Sequence, residues 1–330
     1  MLLINFKKKL KNKISKKYIF IIIIIIKMGF IYECDAKGTT LVKATGCGKA
    51  IIPENCTAIG PYAFEFCTEL TSVEFNKNLT TIGKYAFWKC TELTEVIFNE
   101  HLTTIKYGAF ANCIGLNSII FNKKLTIIGQ HAFYVCTGLT NIEFNENLTR
   151  IESGAFSNCI GLISVIFNKN LTTIESDAFN HCTRLTSVIF NENLNTIDSN
   201  AFCNCIGLTS VIFNENLTTI GSGAFYSCIG LISVEFNKNL TKIGTQAFSH
   251  CTGLTSVIFN ENLNTIESGA FNKCWNLKNI NASQKFNHLL LNQEMQLIYL
   301  LNRIDTNIKD KLVEKHHYID DIGDDILNKL

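Results

Sequence analysis

Apolar and polar positions along the chain recur with a fixed period of 23 residues. The pair Ala-Phe opens each unit, first at Ala63-Phe64 and last at Ala270-Phe271, and no insertion or deletion interrupts the ten copies. One unit reads A-F-x-x-C-x-x-L-x-x-V-x-F-N-x-N-L-T-x-I. Its L-x-x-V-x-F part alternates between apolar and variable positions, as a half-buried strand does. A period of about 20 to 30 residues predicts a repeat solenoid.

The repeat also predicts how the units pack. One unit is too small to bury its own apolar side, so its apolar residues must pack against their counterparts in neighbouring coils. We expect a right-handed coil with a parallel β-sheet on one face, in which adjacent strands lie about 4.8 Å apart. The A-F-x-x-C segment is too short for a long helix and predicts a tight bend or a single helical turn.

The end of the repeat pattern divides the chain into four segments. Residues 63–283 contain the ten repeats, and residues 34–62, which hold a partial copy, are predicted to form an N-terminal cap. Residues 284–330 lack the Ala-Phe pair and space their apolar residues as a helix does, which predicts a C-terminal helical cap or tail. That tail is also a candidate for self-association. Residues 1–33 form a basic and apolar N-terminal segment.

The repeat unit resembles the BspA-like class of leucine-rich repeats. The resemblance rests on A-F-x-x-C-x-x-L-x-x-V-x-F followed by L-T-x-I, covers about residues 51–280 and repeats in register ten times. The unit departs from the common L-x-x-L-x-L-x-x-N-x-L form, because Leu79 comes one residue early after Asn78. The resemblance implies a leucine-rich-repeat-like solenoid and a surface or adhesion protein that binds other proteins.

The outward position of the predicted strand is the candidate binding site. Isoleucine predominates there, with glutamate at Glu74 and at two later coils, and Thr or Ser usually flanks the position. An exposed apolar stripe is typical of an interaction surface. The alternatives are that β-branched residues simply suit a strand, or that another segment covers them. The candidate ligand-binding residues are Ile97, Ile120, Glu143, Ile166, Ile189, Ile212, Glu235 and Ile258.

Aromatic residues that follow the Ala-Phe pair mark a second candidate surface. Trp88, Tyr134 and Tyr226 occupy this position in three coils, and other residues occupy it elsewhere. They are expected on a loop edge, where binding specificity often resides. Single exposed aromatic residues are also normal.

Two further rows of identical residues have structural interpretations. A cysteine follows each Ala-Phe pair, from Cys67 to Cys274. Disulfides or metal ligation are the functional alternatives, but a row of parallel thiols specifies no pairing and lacks Cys-x-x-Cys clusters. Buried free thiols are the favoured interpretation. Three cysteines precede the first repeat, and an oxidising compartment would permit a cap disulfide among them. An asparagine after each strand, from Asn76 to Asn260, is predicted to close the bend.

The N-terminal segment concentrates positive charge. Eight of the 30 basic residues lie in residues 1–27, which contain no acidic residue, so the remaining 22 face all 28 acidic residues. An acidic body that is poor in arginine argues against nucleic-acid binding. A basic stretch before six consecutive isoleucines resembles a signal or a membrane anchor, which would act through residues 18–32. The alternative is that translation starts at Met28, which predicts a cytoplasmic protein.

Catalytic chemistry has no counterpart in the sequence. The seven histidines are scattered, and no phosphate-binding glycine loop, nucleophile elbow or paired-carboxylate motif occurs. We predict a non-enzymatic module that uses no metal or cofactor and binds a protein partner at the cell surface or membrane. The alternatives are an intracellular scaffold and an architectural rod that assembles end to end.

Overall fold

The computed structural model describes residues 30–281, which form a β-solenoid of stacked coils. The strands before the first repeat are β1 Phe30–Cys34, β2 Thr40–Gly46 and β3 Gly48–Ile51. The longer strands of the coils are β5 Leu70–Glu74, β7 Glu95–Ile97, β9 Ser118–Ile120, β11 Asn141–Glu143, β13 Ser164–Ile166, β15 Ser187–Ile189, β17 Ser210–Ile212, β19 Ser233–Glu235, β21 Ser256–Ile258 and β23 Asn279–Asn281. The two-residue strands are β4 Ala58–Ile59, β6 Thr81–Ile82, β8 Thr104–Ile105, β10 Ile127–Ile128, β12 Arg150–Ile151, β14 Thr173–Ile174, β16 Thr196–Ile197, β18 Thr219–Ile220, β20 Lys242–Ile243 and β22 Thr265–Ile266.

The V-x-F part of the repeat forms the parallel strands that the sequence predicts. Neighbouring coils pair in strict 23-residue register, as in Val188 with Val211 and Ile189 with Ile212. These strands form four short sheets of two to four strands. We call the outward side of β5 to β23 the strand face.

A second row of strands, which the sequence analysis did not predict, runs along the solenoid. The two-residue strands at the end of each unit join β1 and β2 in one sheet of twelve strands. Thr173 pairs with Thr196 and Ile174 with Ile197, again 23 residues apart. No α-helix occurs among residues 30–281, and the Ala-Phe segments are tight turns. The prediction of a tight bend is therefore confirmed.

Two rows of phenylalanine fill the core. The rings of the Ala-Phe row stack nearly parallel, with centroids 4.8 Å apart between Phe87 and Phe110 and 5.4 Å apart between Phe156 and Phe179. The phenylalanines that follow the longer strands stack in a second row and meet the first edge-on, as Phe98 meets Phe110 at 5.8 Å. Both arrangements are favourable for aromatic pairs. Each ring therefore contacts its counterpart one coil away.

An asparagine in each coil fastens it to the coil before. The Asn191 Nδ2 amide donates to the carbonyls of Asn168 at 2.5 Å and Leu171 at 3.0 Å. Its Oδ1 accepts the backbone N–H groups of Asn193 at 2.9 Å and Leu194 at 2.8 Å. The predicted role in closing the bend is thus only half of what this side chain does. It also bonds to the neighbouring coil.

Each turn places residues in the left-handed region at two positions. One lies before the alanine and one before the cysteine, as at Tyr85 with φ 52° and Lys89 with φ 59°. Glycine, which adopts this conformation without strain, occupies the first position in several coils. A Cβ at Gly108 would lie 2.4 Å from the Tyr85 ring, which covers that glycine from the preceding coil.

Strand β1 covers the N-terminal end of the solenoid. It pairs antiparallel with β2, and Phe30 is fully buried with its ring centroid 5.8 Å from that of Phe64. Residues 30–33, which the sequence analysis assigned to the N-terminal segment, are therefore part of the sheet that covers this end of the solenoid. Residues 1–29 and the predicted C-terminal helical segment, 284–330, lie outside the described residues. No helix within residues 30–281 is long and apolar enough to cross a membrane.

We predict that replacing Asn191 by alanine destabilises the solenoid far more than replacing Asn193 two residues later. Asn191→Ala removes four hydrogen bonds and leaves buried carbonyls unpaired, at a cost of about 2–4 kcal/mol. The exposed Asn193 amide donates to the Lys169 carbonyl, and its loss should cost under about 1 kcal/mol. Denaturant unfolding followed by circular dichroism measures both variants. Equal losses of stability in the two variants would contradict the role of the asparagine row, Asn76 to Asn260, in joining neighbouring coils.

Candidate binding surface on the strand face

The strand face presents a row of exposed isoleucines. Val96, Val188 and Val257, at the preceding position, are buried in the core, so the residue after each must point outward. The isoleucine row consists of Ile97, Ile120, Ile166, Ile189, Ile212 and Ile258, whose exposed fractions run from 37% to 63%. The predicted exposure is confirmed, and no segment of residues 30–281 covers the row. Whether the row binds a ligand stays a prediction.

Glutamates divide the isoleucine row into patches. Ile97 pairs with Ile120, and Glu143 in the next coil separates them from Ile166, Ile189 and Ile212. Glu235 then precedes Ile258. Ile189 and Ile212 lie on paired strands, whereas Ile166 lies on β13 at the edge of the neighbouring two-stranded sheet. At a coil spacing of about 4.8 Å, these three isoleucines form a strip of about 10 Å between two carboxylates. This strip is the most continuous apolar part of the strand face.

Ile232 adds to the apolar surface and was missed by the sequence analysis. It occupies a position at which most coils have threonine, and its side chain is 54% exposed. The threonines there, such as Thr186 and Thr209, donate their hydroxyls to the carbonyl of the preceding coil. Ile232 cannot make that bond, so the eighth coil exposes a methyl-rich side chain there instead. Ile163 replaces threonine at the same position in the fifth coil, and attention to the commonest residue at each repeat position hides such exceptions.

Aromatic side chains form a second, partly exposed cluster on the turns of the N-terminal coils. The centroid of Phe66 lies 4.8 Å from that of Trp88, and Tyr85 lies 5.7 Å from Trp88 and 5.2 Å from Tyr107. The Lys89 ammonium sits 4.7 Å from the Trp88 centroid. The sequence analysis identified Trp88 but not Phe66, Tyr85 and Tyr107, which come from three different repeat positions. The rings cover the left-handed turns of this end of the solenoid.

Of the other two predicted aromatic positions, Tyr134 joins this cluster through His131, whose ring lies 5.4 Å from that of Tyr107, and Tyr226 lies apart from it. Tyr134 packs against His131 at 5.5 Å, and Tyr226 packs against His250 at 4.9 Å. The loop edge therefore carries one aromatic cluster, which extends from Phe66 to Tyr134, and one separate pair, Tyr226 with His250. Its continuous part is confined to the N-terminal coils.

The cysteine row consists of buried thiols that bond to the backbone. Cys67 and its counterparts through Cys251 are buried free thiols. Each points at a backbone carbonyl, as Cys113 Sγ does at the Phe87 carbonyl, 3.1 Å away. Burial raises the pKa of Cys67 and of Cys159 to about 12. The interpretation as buried free thiols is thus confirmed for these nine coils.

Several charged side chains form ion pairs between neighbouring coils. Lys123 lies 3.3 Å from Glu146, and Lys238 lies 2.9 Å from Glu215, in each case across one coil spacing. Lys242 and Glu267 form a similar pair at 2.7 Å. Within residues 30–281, no group of three His, Cys, Asp or Glu side chains is placed to hold a metal ion. Exposed pairs of this kind contribute about 0–1 kcal/mol each and chiefly avoid contact between like charges.

Comparisons with known proteins place this repeat among leucine-rich repeats. The model of the BspA type leucine rich repeat region matches residues 43–163, 103–229 and 172–293. A leucine-rich repeat protein from Bacteroides ovatus is 24% identical with a TM-score of 0.62, over 77% of this chain and 75% of that chain. A leucine rich cell surface protein from Faecalibacterium prausnitzii is 23% identical with a TM-score of 0.44, over 80% and 97% of the two chains. No curated protein matches. At these identities the solved structures show the fold alone.

We predict that the buried thiols make the folded chain sensitive to alkali. A thiol whose pKa is raised from 9.0 to about 12 by burial, as for Cys159, stays protonated in the folded state while the unfolded chain ionises. The contribution of such a thiol to folding stability is therefore fully present below about pH 9, and it is lost as the pH rises toward 12. Each such thiol should lower the free energy of unfolding by about 1.4 kcal/mol for every pH unit in that window.

Denaturation midpoints between pH 7 and 11 test this expectation. Cys159→Ala should make the decline shallower, whereas Cys47→Ala, at an exposed position, should leave its slope unchanged. The same slope in the wild type and in both variants would show that the buried thiols do not control the alkaline limit.

Proposed function

The chain belongs to the BspA-type leucine-rich repeat family, and from that premise we propose that it is a non-enzymatic protein-binding module that acts at the cell surface. Repeat proteins of this class are generally protein-interaction modules. The strip of Ile166, Ile189 and Ile212 is the centre of the proposed binding surface, and Ile97, Ile120 and Ile258 extend it. The exposed isoleucine row is the observation that carries this proposal.

Large apolar side chains are exposed on successive coils of the strand face, and the longest uninterrupted run is Ile166, Ile189 and Ile212. Burying a half-exposed isoleucine against a partner removes apolar surface from water, at about 25 cal/mol per Å². Valine at the inward position already supplies the apolar packing that the strand needs. The outward isoleucines are therefore not required by the core, and threonine would serve the strand equally well.

The charges beside the strip suggest the chemistry of the partner. Glu143 and Glu235 are exposed at either side of the three isoleucines. A protein that presents an apolar ridge with basic residues toward its ends would match this surface in both respects. Such complementarity favours a protein partner over a nucleic acid, whose phosphates the carboxylates would repel.

We also propose that the protein is located at the cell surface. The support for this location is the basic stretch and apolar run of residues 1–33, together with the leucine rich cell surface protein among the compared structures. An intracellular scaffold that starts at Met28 and a rod that assembles through residues 284–330 are the competing functions. The experiments below separate these three.

We expect Ile166→Thr combined with Ile212→Thr to weaken binding to a protein partner at least about tenfold, because each change removes about 1 kcal/mol of apolar contact. Beads that carry the chain are tested for retention on a panel of immobilised extracellular-matrix glycoproteins. Ile160→Thr with Ile206→Thr is the matched control. Those isoleucines are 46% and 43% exposed in the same two coils but lie on the turns.

The control variant should bind within about twofold of the wild type, since its changes lie away from the strand face. Equal loss in both variants, or no retention of the wild type on any member of the panel, would contradict adhesion through the isoleucine row.

Fractionation with N-terminal mapping of the native protein tests the location. A surface protein should be recovered at the membrane or outside the cell, with residues 18–29 either retained or cleaved away. Recovery in the cytosol with Met28 at the N-terminus would contradict a surface role and support the scaffold. Polymers that depend on concentration and disappear when residues 284–330 are removed would instead support the rod.

A further inference from the structure

Two cysteines of the cap lie close enough to react with each other. Cys34 ends strand β1 and is exposed, whereas Cys56 is buried in the segment between β3 and β4. Their sulfur atoms are 3.8 Å apart. From this juxtaposition we propose that Cys34 and Cys56 form a thiol–disulfide site that takes small-molecule disulfides as its oxidant and fastens β1 to the body of the solenoid.

Hydrogen bonds on both sides hold the two cysteines in place. The Asp35 side chain, next to Cys34, accepts the backbone N–H groups of Thr39 at 2.8 Å and Thr40 at 3.1 Å. The Cys56 N–H donates to the Pro53 carbonyl at 2.9 Å, and the Cys56 carbonyl accepts the Asn76 amide at 2.9 Å. The backbone around each cysteine is thus held by its neighbours, so side-chain rotation has to bring the sulfurs from 3.8 Å to the S–S bond length of about 2.05 Å.

The cysteine row of the repeats offers a contrast within the same chain. Its thiols donate to carbonyls of the preceding coil, as Cys90 does to Phe64 at 3.1 Å and Cys136 to Phe110 at 3.2 Å. They are also shielded from a soluble oxidant by burial. Cys34 is exposed and its sulfur faces another sulfur. Oxidation should therefore be selective for the cap pair, although the chain contains fourteen cysteines.

The oxidation balances with glutathione disulfide as the oxidant. The Cys34 thiolate attacks one sulfur of glutathione disulfide, which forms a mixed disulfide and releases one glutathione thiolate. The Cys56 thiol then loses its proton to water and attacks Cys34 Sγ, which releases the second glutathione. Two protein thiols are oxidised and one glutathione disulfide is reduced. Burial and the nearby Cys34 raise the pKa of Cys56 to about 12, so Cys34 is the thiol that reacts first.

The bond would strengthen the end of the solenoid that β1 covers. Residues 34 and 56 enclose a short loop, and closing it restricts the unfolded cap. Phe30 on the same strand covers the first ring of the phenylalanine stack. A closed cap would therefore resist fraying in an oxidising location and loosen in a reducing one. This inference is independent of the strand face, so failure of one leaves the other standing.

The test is made on the full chain, equilibrated in glutathione buffers of graded redox potential, quenched in acid and mapped by differential alkylation. Cys34 and Cys56 should become protected together, in one disulfide-linked peptide pair, while Cys47 stays open to alkylation. The oxidised chain should melt about 5–10 °C higher than the reduced one.

The matched variants are Cys34→Ser and Cys47→Ser. Cys34→Ser should abolish the redox-dependent rise in melting temperature and leave the Cys56 thiol reduced, whereas Cys47→Ser should retain both effects. Three results of mapping the wild-type chain would overturn the proposal. They are a Cys34–Cys47 linkage, a mixed disulfide of Cys34 with glutathione that never closes, and full alkylation of Cys34 and Cys56 under oxidising buffers.

Discussion

The unbroken spacing of 23 residues is the constraint on which the structure depends. It places every side chain beside its own counterpart one coil away, so a residue type that packs well on itself is favoured at each position. Phe156 stacks on Phe133 and Phe179, and the Asn191 amide bonds to the backbone of the coil before. Stability in such an array is close to a sum over neighbouring coils, and no coil is stable alone.

The same constraint shapes the surface. When the same residue type occupies an outward position in every coil, its side chains form a row along the surface. A different residue in one coil interrupts that row. Isoleucine at the outward strand position yields an apolar strip, and Glu143 and Glu235 limit it. An enzyme must bring different residues together at one point, whereas stacked copies of one unit present extended rows. This arrangement suits recognition of another macromolecule over a long contact.

The features that could be predicted from the sequence are those that the repeat presents in many copies. Ten copies of one pattern were enough to place the longer strands, the buried cysteines and the outward isoleucines. The twelve-stranded sheet was missed because strands such as Thr173–Ile174 are two residues long and show no alternation. The left-handed turns had a signal in Gly108 and Gly154, which share a repeat position with Tyr85. The close sulfurs of Cys34 and Cys56 could not be predicted, because the cap departs from the repeat.

Photo-crosslinking tests most directly which side of the solenoid contacts the partner. A benzophenone-bearing amino acid is placed at Ile189 on the strand face or, for comparison, at Ile206 on a turn. The chain is then irradiated on the immobilised matrix glycoproteins. The account predicts covalent capture from position 189 and little from position 206. Capture from position 206 alone would contradict the assignment of the strand face as the binding surface.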